Sequence, residues 1–447
     1  MPGRAGPDVR MRGFQTRAEV AQFIDWIDQR TSALELEWIA LPEAGQRVLA
    51  QDVVAGCAVP GFDRAAMDGY ALRGADTFGA DSYAPLEFDV IGEALPARPF
   101  IGRVETGQAV RIMTGAPVPE GADAVAQAEI AEEIHQGKDE GGRMKDESDG
   151  ETASFSSFIL HPSSFPRKVR LTEAVPPGRH VGRRGEDIEA GSVILRAGRL
   201  LRPQDLGVLA SIGASPVAVV RQPRVAILVC GDELLPCGAK PEGYRIVDSN
   251  SVMLAALLRR DGVQTIRIEM VKDGYDLVRK ALAEAIEDMI LVSGGSSVGV
   301  EDHAPRVLAE LGELLAHGVA LRPASPTGLG FLGKRTVFLM PGNPVSCLCA
   351  YDLFAGRAAR RLGGRGNDLP YPTRTLPLGR KIASMIGRVD YVRVVIHEGK
   401  VEPLAISGAS ILSSTTRADG FVIVPGDLEG YAEGEVVVVH MYDHASR

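Results

Sequence analysis

Two short polar stretches have the residue types that bind phosphate groups. The stretch SGGSS (293–297) contains two glycines, which allow backbone N–H groups to turn into one concavity, and three hydroxyl groups. The stretch PGNP (341–344) places glycine beside Asn343, which can cap a helix that begins near Pro344. A helix N-terminus attracts negative charge. Each stretch predicts contacts with an anion, and each alone is also compatible with a strand-to-helix turn that binds nothing.

A third stretch, DSNS (248–251), opens a helical pattern that carries Met253, Leu254, Leu257 and Leu258. Capping a helix requires only one polar side chain. The remaining polar residues are therefore available to contact the ribose or the base of a nucleotide.

Several carboxylates also follow apolar runs of the chain. Asp232 and Glu233 come after the run VAILVC (225–230), Asp273 comes after the run TIRIEMV (265–271), and Asp302 comes after the stretch SGGSS (293–297). Oxygen ligands from several loops suit Mg²⁺, which binds through one or two carboxylates and substrate phosphates. Any one of these acids alone is more typical of a helix cap or a solvated surface.

The elements that must position these residues are four apolar runs separated by helical patterns: VAILVC (225–230), TIRIEMV (265–271), MILV (289–292) and TVFLM (336–340). Such runs predict buried parallel strands of an α/β sheet, whose ligands bind at the carboxyl ends of the strands. We therefore expect the loops after Cys230, Val271, Val292 and Met340 to converge.

The rest of the chain has other patterns. A helix is predicted from Arg17 to Ser32, with Thr16 and Glu19 as a capping box. Short apolar runs with Gly and Pro between 43 and 130, and alternating positions after Pro370, predict two small β domains. Residues 135–157 are polar and charged and predict a surface insertion, and residues 1–14 a loose leader.

Composition narrows the class of protein. A chain of 447 residues predicts about three domains. The net charge of −9 argues against a nucleic-acid-binding surface. Five cysteines without zinc-type spacing favour a reduced, cytoplasmic protein, and no run approaches the ~18 apolar residues of a membrane helix.

Seven motifs, in their order along the chain, resemble those of the MoeA family of molybdopterin molybdenumtransferases, which are related to the gephyrin E domain. The motifs are GFDRAAMDGYAL (61–72), RIMTGAPVPEGADAV (111–125), GRRGEDIEAG (182–191), VAILVCGDEL (225–234), RIVDSNSVMLAALLRR (245–260), SGGSSVG (293–299) and PGNPVS (341–346).

The resemblance implies a multidomain α/β fold and an elongated homodimer. Its parts would be a split helical and β segment (15–42 with 171–221) and an inserted β domain (43–170). They would be followed by a MogA-like α/β domain with a central parallel sheet (222–364) and a C-terminal β barrel (368–447).

The resemblance also implies the reaction. Relatives insert molybdate into adenylated molybdopterin and release AMP with the assistance of Mg²⁺, in a cleft between the α/β domain of one subunit and the inserted β domain of the other. A MogA-like adenylyltransferase would be a partner, and neither nucleic acid nor membrane would be.

The resemblance assigns roles residue by residue. Catalytic roles fall on Asp63, Thr114, Glu186, Asp232 and Asp273, and metal binding falls on Asp232, Asp302 and Glu186. Binding of the pterin nucleotide and the oxyanion falls on Ser293, Gly294, Gly295, Ser297, Asp248, Ser249, Asn250, Arg322, Pro341, Gly342 and Asn343.

One departure from the family pattern concerns the oxyanion. The family usually has Lys-Pro-Gly-Lys-Pro where this chain has RPASP (322–326), so Arg322 retains the first cation and Ser325 replaces the second. Losing one cation should weaken binding of a dianion by about 1–3 kcal/mol. One alternative to the transferase is therefore a paralogue that carries molybdopterin or its adenylate without inserting metal. Another alternative, implied by the resemblance to gephyrin, is a scaffold module whose C-terminal β domain and loops bind protein partners.

Overall fold

The computed structural model describes residues 17–134, 167–295, 302–405 and 408–442. The chain forms two compact units. The first comprises Met1–Gln51, Arg196–Leu206 and Ser215–Arg447, and the second comprises Asp52–Leu195 and Gly207–Ala214. The predicted leader, the predicted insertion and Ser297 lie outside the described residues.

The first unit contains a central six-stranded sheet. Its strands are β1 (Arg224–Cys230), β2 (Thr265–Val271), β3 (Met289–Ser293), β4 (Glu313–His317), β5 (Gly328–Leu332) and β6 (Arg335–Met340). Their spatial order is β2-β1-β3-β6-β5-β4. The pairs β2-β1, β1-β3 and β3-β6 are parallel, as predicted, and β5 and β4 are antiparallel to their neighbours. The prediction that all four parallel strands are buried is wrong for β2, because it lies at the edge of the sheet and its Ile268 and Met270 are 47% and 42% exposed.

The register of these strands brings their carboxyl ends to one edge. Cys230 pairs with Val271, and Ser293 pairs with both Val229 and Met340. The loops that follow the four strands therefore leave the sheet side by side.

Both faces of β1 are covered, which explains its uninterrupted apolar run. Ile227 and Val229 pack in a core that includes Leu254 and Leu258. Leu228 and Cys230 point to the other face, into a core that includes Leu282. Strands buried on two faces require apolar residues at every position.

The helices are Val20–Arg30, Pro203–Ser211, Asn250–Arg260, Tyr275–Glu284, Ala304–Leu311, Pro344–Ala350, Gly356–Leu362 and Ser413–Arg417, with a π-helical turn at Tyr351–Ala355. The first helix begins three residues later than predicted. Glu19 is its N-cap and makes no side-chain capping hydrogen bond, so the predicted capping box is wrong at that residue; Thr16 is outside the described range. Instead of helix, Ala18 forms a parallel bridge with Val319.

A second six-stranded sheet in the first unit contains Leu321–Arg322, Val389–His397, Gly420–Val424, Val436–Met441 and Thr373–Pro377 in spatial order, with Lys400–Ala405 paired to Val389–His397. The strand Leu321–Arg322 matters for the site because Arg322 is the register partner of Asp390. Smaller pairs are Leu36–Ile39 with Val217–Val220, Leu234–Leu235 with Ile246–Val247, and Ile382–Ala383 with Gly430–Tyr431.

The second unit is built on a six-stranded sheet of Ala124–Gln127, Gly69–Leu72, Gln108–Ile112, Leu86–Ala94, Lys168–Leu171 and Ala131–Ile134 in spatial order. Two short pairs flank it: Val181–Gly182 with Arg64–Ala65, and Val193–Leu195 with Val53–Val54. The pair at Arg64–Ala65 joins two of the sequence motifs, because residues 61–72 and 182–191 meet there.

Within the described residues, no helix is both long and apolar enough to cross a membrane. The four-part division of the chain, with its split segment and C-terminal barrel, stays a prediction.

Asp288 connects the amino ends of β1 and β3, away from the predicted site. Arg221 donates two hydrogen bonds to its carboxylate at 2.9 and 2.8 Å, and the backbone N–H of Arg224 donates a third at 2.8 Å. Burial alone raises the pKa of the Asp288 carboxyl, but these donors bring it below its ordinary value. The ionised carboxylate is therefore the form that stabilises the fold.

We expect Asp288→Asn to lower the free energy of unfolding at pH 7 by about 1–3 kcal/mol, because the charge-assisted hydrogen bonds are lost. Because the pKa of Asp288 is lower in the folded state, its carboxylate stabilises the fold fully when the pH is above the unfolded-state pKa of about 3.9. This stabilisation is lost as the pH falls through the folded-state pKa. Urea unfolding measures the free energy of unfolding of the variant and of wild type at pH 7 and at pH 3. The two free energies should differ at pH 7, and the difference should be smaller at pH 3. The matched control Asp427→Asn changes an exposed residue, and an equal loss there would contradict this role.

Candidate functional site

A cavity of about 1210 Å³ opens where the four parallel strands end. The loops after β1, β2, β3 and β6 all contribute to its wall, as the sequence pattern predicted. The remaining lining comes from the start of the helix Asn250–Arg260, from residues 320–326 and 408–410, and from Arg17 and Arg388. Every lining residue belongs to the first unit.

Asn250 connects two of these loops at the floor of the cavity. Its Nδ2 donates to the Ser293 Oγ at 3.0 Å and to the Gly342 carbonyl at 2.8 Å. Asn250 is only 7% exposed, and its Oδ1 is buried without a hydrogen-bond partner in the described part of the chain. An unsatisfied buried amide oxygen is costly, so a donor group on a ligand would stabilise it.

Gly294 and Gly295 both have positive φ angles, +83° and +59°. A Cβ at Gly294 would lie 2.2 Å from the Cys230 carbonyl oxygen, so a side chain cannot be accommodated there. The left-handed backbone that these glycines permit turns successive N–H groups toward one side, which is the geometry of an anion-binding concavity. The Gly342 loop lies against it, since a Cβ on Gly342 would be 3.8 Å from the Gly294 Cα.

The acids after β1 and β2 hold each other in place. The Asp232 N–H donates to the Asp273 carboxylate at 3.1 Å, and the Asp273 N–H donates to the Asp232 carboxylate at 3.3 Å. Asp273, Asp302 and Glu233 line the cavity. Burial raises the pKa of the neighbouring Cys230 thiol to about 12, with a further contribution from the negative charges of Asp273 and Asp302.

Among the residues that the structure describes, the cations of the lining are three arginines, Arg17, Arg322 and Arg388. Asp390, which is fully buried, accepts hydrogen bonds from Arg322 and from the Arg388 Nε at 3.1 Å, as well as from the Ser384 hydroxyl at 2.7 Å. One carboxylate therefore orients two guanidinium groups at the cavity wall.

The loop between Arg322 and Thr327 carries backbone strain at the cavity. Ala324 has a φ of 105°, a value that L-residues rarely adopt. Its carbonyl accepts hydrogen bonds from the Thr327 N–H at 3.1 Å and hydroxyl at 2.7 Å, and the Ser325 carbonyl accepts one from the Val319 N–H at 2.9 Å. The Ser325 Oγ is buried and has no hydrogen-bond partner in the described residues.

At the two helices that begin at the cavity, the N-cap residues do not cap the helix with their own side chains. Neither Ser249 nor Asn343, the two N-cap residues, makes a capping hydrogen bond with its side chain. The helix Asn250–Arg260 is capped by Asp248 instead, because its carboxylate accepts hydrogen bonds from the Ser251 N–H at 3.1 Å and from the Ser251 hydroxyl. The side chains of Ser249 and Asn343, both of which line the cavity, are therefore available to a ligand.

The second unit gathers its own group of predicted residues on three adjoining loops. The Asp63 carboxylate accepts from the Arg184 N–H at 2.8 Å, and Glu186 accepts from the Arg183 N–H at 3.0 Å. Thr114 donates its N–H and its hydroxyl to Asp68, both at 2.7 Å. These two hydrogen bonds hold the pKa of the Asp68 carboxyl below its ordinary value.

Three family descriptions match successive parts of this chain. Residues 18–213 match "MoeA N-terminal region (domain I and II)", residues 226–360 match "Probable molybdopterin binding domain", and residues 375–442 match "MoeA C-terminal region (domain IV)". A relative named molybdopterin molybdenumtransferase, from Bacillus subtilis, is 32% identical over 91% of this chain and 89% of the relative.

The chain belongs to the MoeA family.

Solved structures of MoeA proteins also share the fold. Two crystal structures of molybdopterin biosynthesis MoeA protein from Pyrococcus horikoshii each cover 96% of this chain and 100% of their own. Their TM-scores are 0.77 and 0.72, at 27% and 30% sequence identity. The expected MoeA-like multidomain α/β fold is confirmed.

The predicted site residues of this MoeA chain fall into two groups. The cavity brings together most of the predicted binding residues, and Asp63, Thr114 and Glu186 lie in the second unit. Asp232 lies on the wall loop, but Glu233 rather than Asp232 is in the lining. The predicted residues in the lining are Asp248, Ser249, Asn250, Asp273, Ser293, Gly294, Gly295, Asp302, Arg322, Pro341, Gly342 and Asn343.

Two lining arginines were missed by the sequence patterns. Arg388 precedes a strand of the C-terminal sheet and has no neighbouring motif, so its spacing carries no signal. Arg17 was assigned to the first turn of a helix, whereas it precedes the extended residue that pairs with Val319. In both cases, a contact distant in sequence brings the cation to the cavity.

We expect Ala324→Gly to raise the free energy of unfolding by about 0.5–1 kcal/mol, because glycine adopts positive φ without steric cost. The same change at the exposed residue Ala383, which does not have positive φ, should lower stability instead. Thermal unfolding of the two variants beside wild type measures both effects. Equal destabilisation by the two changes would show that Ala324 is not strained.

Proposed function

We propose that this chain is a molybdopterin molybdenumtransferase that inserts molybdate into adenylated molybdopterin and releases AMP. Family membership gives it a role in molybdenum cofactor biosynthesis as a transferase. The observation that carries the reaction is one cavity in which a glycine concavity, a group of acids and a group of arginines meet. Its volume of about 1210 Å³ is large enough for a pterin nucleotide.

The pterin nucleotide would bind where the backbone offers N–H donors and the side chains offer hydrogen-bonding groups without partners. Gly294 and Gly295 would hold a phosphate, since their conformation turns N–H groups to one side. The Asn250 Oδ1 and the side chains of Ser249 and Asn343 would contact the ribose or the heterocycle. Ser293, Ser297, Asp248, Pro341 and Gly342 complete the proposed set.

The acids fit Mg²⁺ in their chemistry. Asp232 and Asp273 already lie within hydrogen-bonding distance of each other's backbone, and Asp302 adds a third carboxylate to the same region. No preformed cluster of three metal-ligating side chains occurs within the described ranges, so substrate phosphate oxygens would complete the coordination. When bound, Mg²⁺ would polarise the phosphoanhydride.

Molybdate is a substrate and would bind beside Arg322. Insertion would form two Mo–S bonds to the dithiolene and break one Mo–O bond, and the two thiol protons would leave with that oxygen as water. A water molecule would attack the phosphoanhydride, so that the bond to AMP breaks and negative charge accumulates on the departing AMP phosphate. Positively charged groups fixed in a partly dehydrated cavity stabilise such charge without having to reorganise. The Asp390 carboxylate would keep the guanidinium groups of Arg322 and Arg388 in position.

We further propose that the protein acts as a homodimer in which Asp63, Thr114 and Glu186 of one protomer serve the cavity of its partner, with Glu186 adding to the metal ligands. The support is the family resemblance, which implies a cleft between the α/β domain of one subunit and the inserted β domain of the other. A MogA-like adenylyltransferase would supply the adenylated substrate in the cytoplasm.

A second candidate function is a carrier that binds adenylated molybdopterin without inserting metal. Ser325 favours it, because a neutral hydroxyl occupies a position where the family usually has lysine. Addition of molybdate distinguishes the two functions. The transferase releases AMP when molybdate is added, whereas the carrier retains the adenylated pterin.

We expect Asp232→Ala to abolish molybdate-dependent AMP release, because the Asp232 carboxylate is proposed to bind the metal. The same carboxylate also accepts the hydrogen bond from the Asp273 N–H that holds the Asp273 loop. Stability should change by less than about 1 kcal/mol, since Asp232 is exposed. Chromatographic detection of AMP measures turnover, and urea unfolding measures stability. Asp276→Ala, an exposed change on the following helix, should leave both unchanged. Full turnover by the Asp232 variant would contradict the proposed role of this carboxylate.

Mixing two inactive variants tests the shared site. Random exchange of Asp63→Ala and Asp232→Ala protomers should restore about a quarter of wild-type activity, because half of the dimers are mixed and each mixed dimer has one intact site. The measurement is AMP release after denaturation and joint refolding, compared with each variant refolded alone. If both residues serve the same protomer's site, every site lacks one of them and mixing restores nothing.

A further inference from the structure

Arg17 lies at the wall of the cavity and is unlike the other two arginines there. Arg322 and Arg388 share the carboxylate of Asp390. Arg17 is exposed and makes no hydrogen bond or ion pair with any residue that the structure describes. No carboxylate of the described residues pairs with Arg17, so its guanidinium group is available to a ligand.

The backbone around Arg17 is fixed against the oxyanion loop, which comprises residues 318–327 and contains Arg322, Ala324 and Ser325. The Ala18 N–H donates to the Gly318 carbonyl at 3.0 Å, and the Ala320 N–H donates to the Ala18 carbonyl at 2.8 Å. Val319, between those two partners, donates its N–H to the Ser325 carbonyl at 2.9 Å. These hydrogen bonds place the residue after Arg17 beside the same short segment that holds Ser325.

The balance of charge shows what this part of the cavity lacks without Arg17. Two guanidinium groups and one buried carboxylate leave one net positive charge beside Ser325. A tetrahedral dianion such as molybdate requires two positive charges to be neutralised. The second positive charge matters because dehydrating an uncompensated charge is costly. Arg17 supplies the second charge, and the buried Ser325 hydroxyl, which has no partner in the described residues, can donate a hydrogen bond to an oxyanion.

We infer that Arg17 binds the oxyanion substrate and takes the role of the lysine that the family pattern has at position 325. This inference rests on the proposed function. It makes Arg17 a specificity-determining residue of this chain, contributed by the segment before the first helix. The oxyanion then contacts guanidinium groups from three separate segments, at Arg17, Arg322 and Arg388.

The first test measures the affinity for molybdate alone. Equilibrium dialysis should give about tenfold weaker binding for Arg17→Gln, equivalent to one charge-assisted hydrogen bond. Arg17→Lys should retain most of the affinity because it keeps the charge. The matched control Arg374→Gln removes an exposed arginine outside the cavity and should bind like wild type. Wild-type affinity of Arg17→Gln would overturn the inference.

The second test asks whether Arg17 and a lysine at position 325 are interchangeable. Ser325→Lys should increase molybdate affinity more in the Arg17→Gln background than in wild type, because the anion then lacks its second cation. A double-mutant cycle measures this coupling. Equal effects of Ser325→Lys in both backgrounds would show that the two positions serve different groups.

A phosphate of the pterin nucleotide is the other source of the same chemistry, and AMP as a probe separates the two. Arg17→Gln should bind AMP as wild type does and should raise the KM for molybdate in AMP release without lowering kcat. Weaker AMP binding with unchanged molybdate binding would overturn the inference. If wild type releases no AMP, the proposed function fails, yet the dialysis of molybdate still decides whether Arg17 binds the oxyanion.

Discussion

The cavity depends on the close approach of the Gly294 backbone to the end of β1. A Cβ at Gly294 would lie 2.2 Å from the Cys230 carbonyl oxygen, well inside van der Waals contact. Only glycine can therefore occupy this position, and its positive φ turns the following N–H groups toward the ligand. Asn250 then fixes the Ser293 and Gly342 loops to one floor by two hydrogen bonds. The binding surface is thus preorganised by the backbone before any charged side chain contributes.

The acids and the arginines around this backbone come from different parts of the fold. The acids Asp273 and Asp302 follow strands of the central sheet. Arg322 lies on a strand of the second sheet of the first unit, Arg388 directly precedes another strand of that sheet, and the buried Asp390 orients both. The proposed binding of both a metal ion and an oxyanion requires ligands of opposite sign that do not neutralise each other. Drawing the two signs from different sheets achieves this, because each set is held by its own hydrogen bonds.

How much of this arrangement the sequence could predict depended on the range of the interactions involved. The four parallel strands and the meeting of their loops were predictable, because uninterrupted apolar runs such as 225–230 require burial on both faces. The positions of Arg17 and Arg388 were not predictable. Arg17 followed a pattern that indicated helix, and only its neighbour's pairing with Val319, three hundred residues away, shows otherwise. Likewise, the reciprocal hydrogen bonds of Asp232 and Asp273 depend on the register between two strands.

The departures from the family pattern in the oxyanion loop have different physical consequences. Ala324 keeps a backbone conformation suited to glycine, and the φ of 105° shows that the surrounding hydrogen bonds hold the loop in spite of the strain. Steric requirements of this kind are local, so no distant residue can relieve them. Electrostatic requirements act through space, and a cation can therefore come from any segment that reaches the same cavity. A lysine at position 325 is replaceable by Arg17 for this reason, whereas the glycine at position 294 is not replaceable at all.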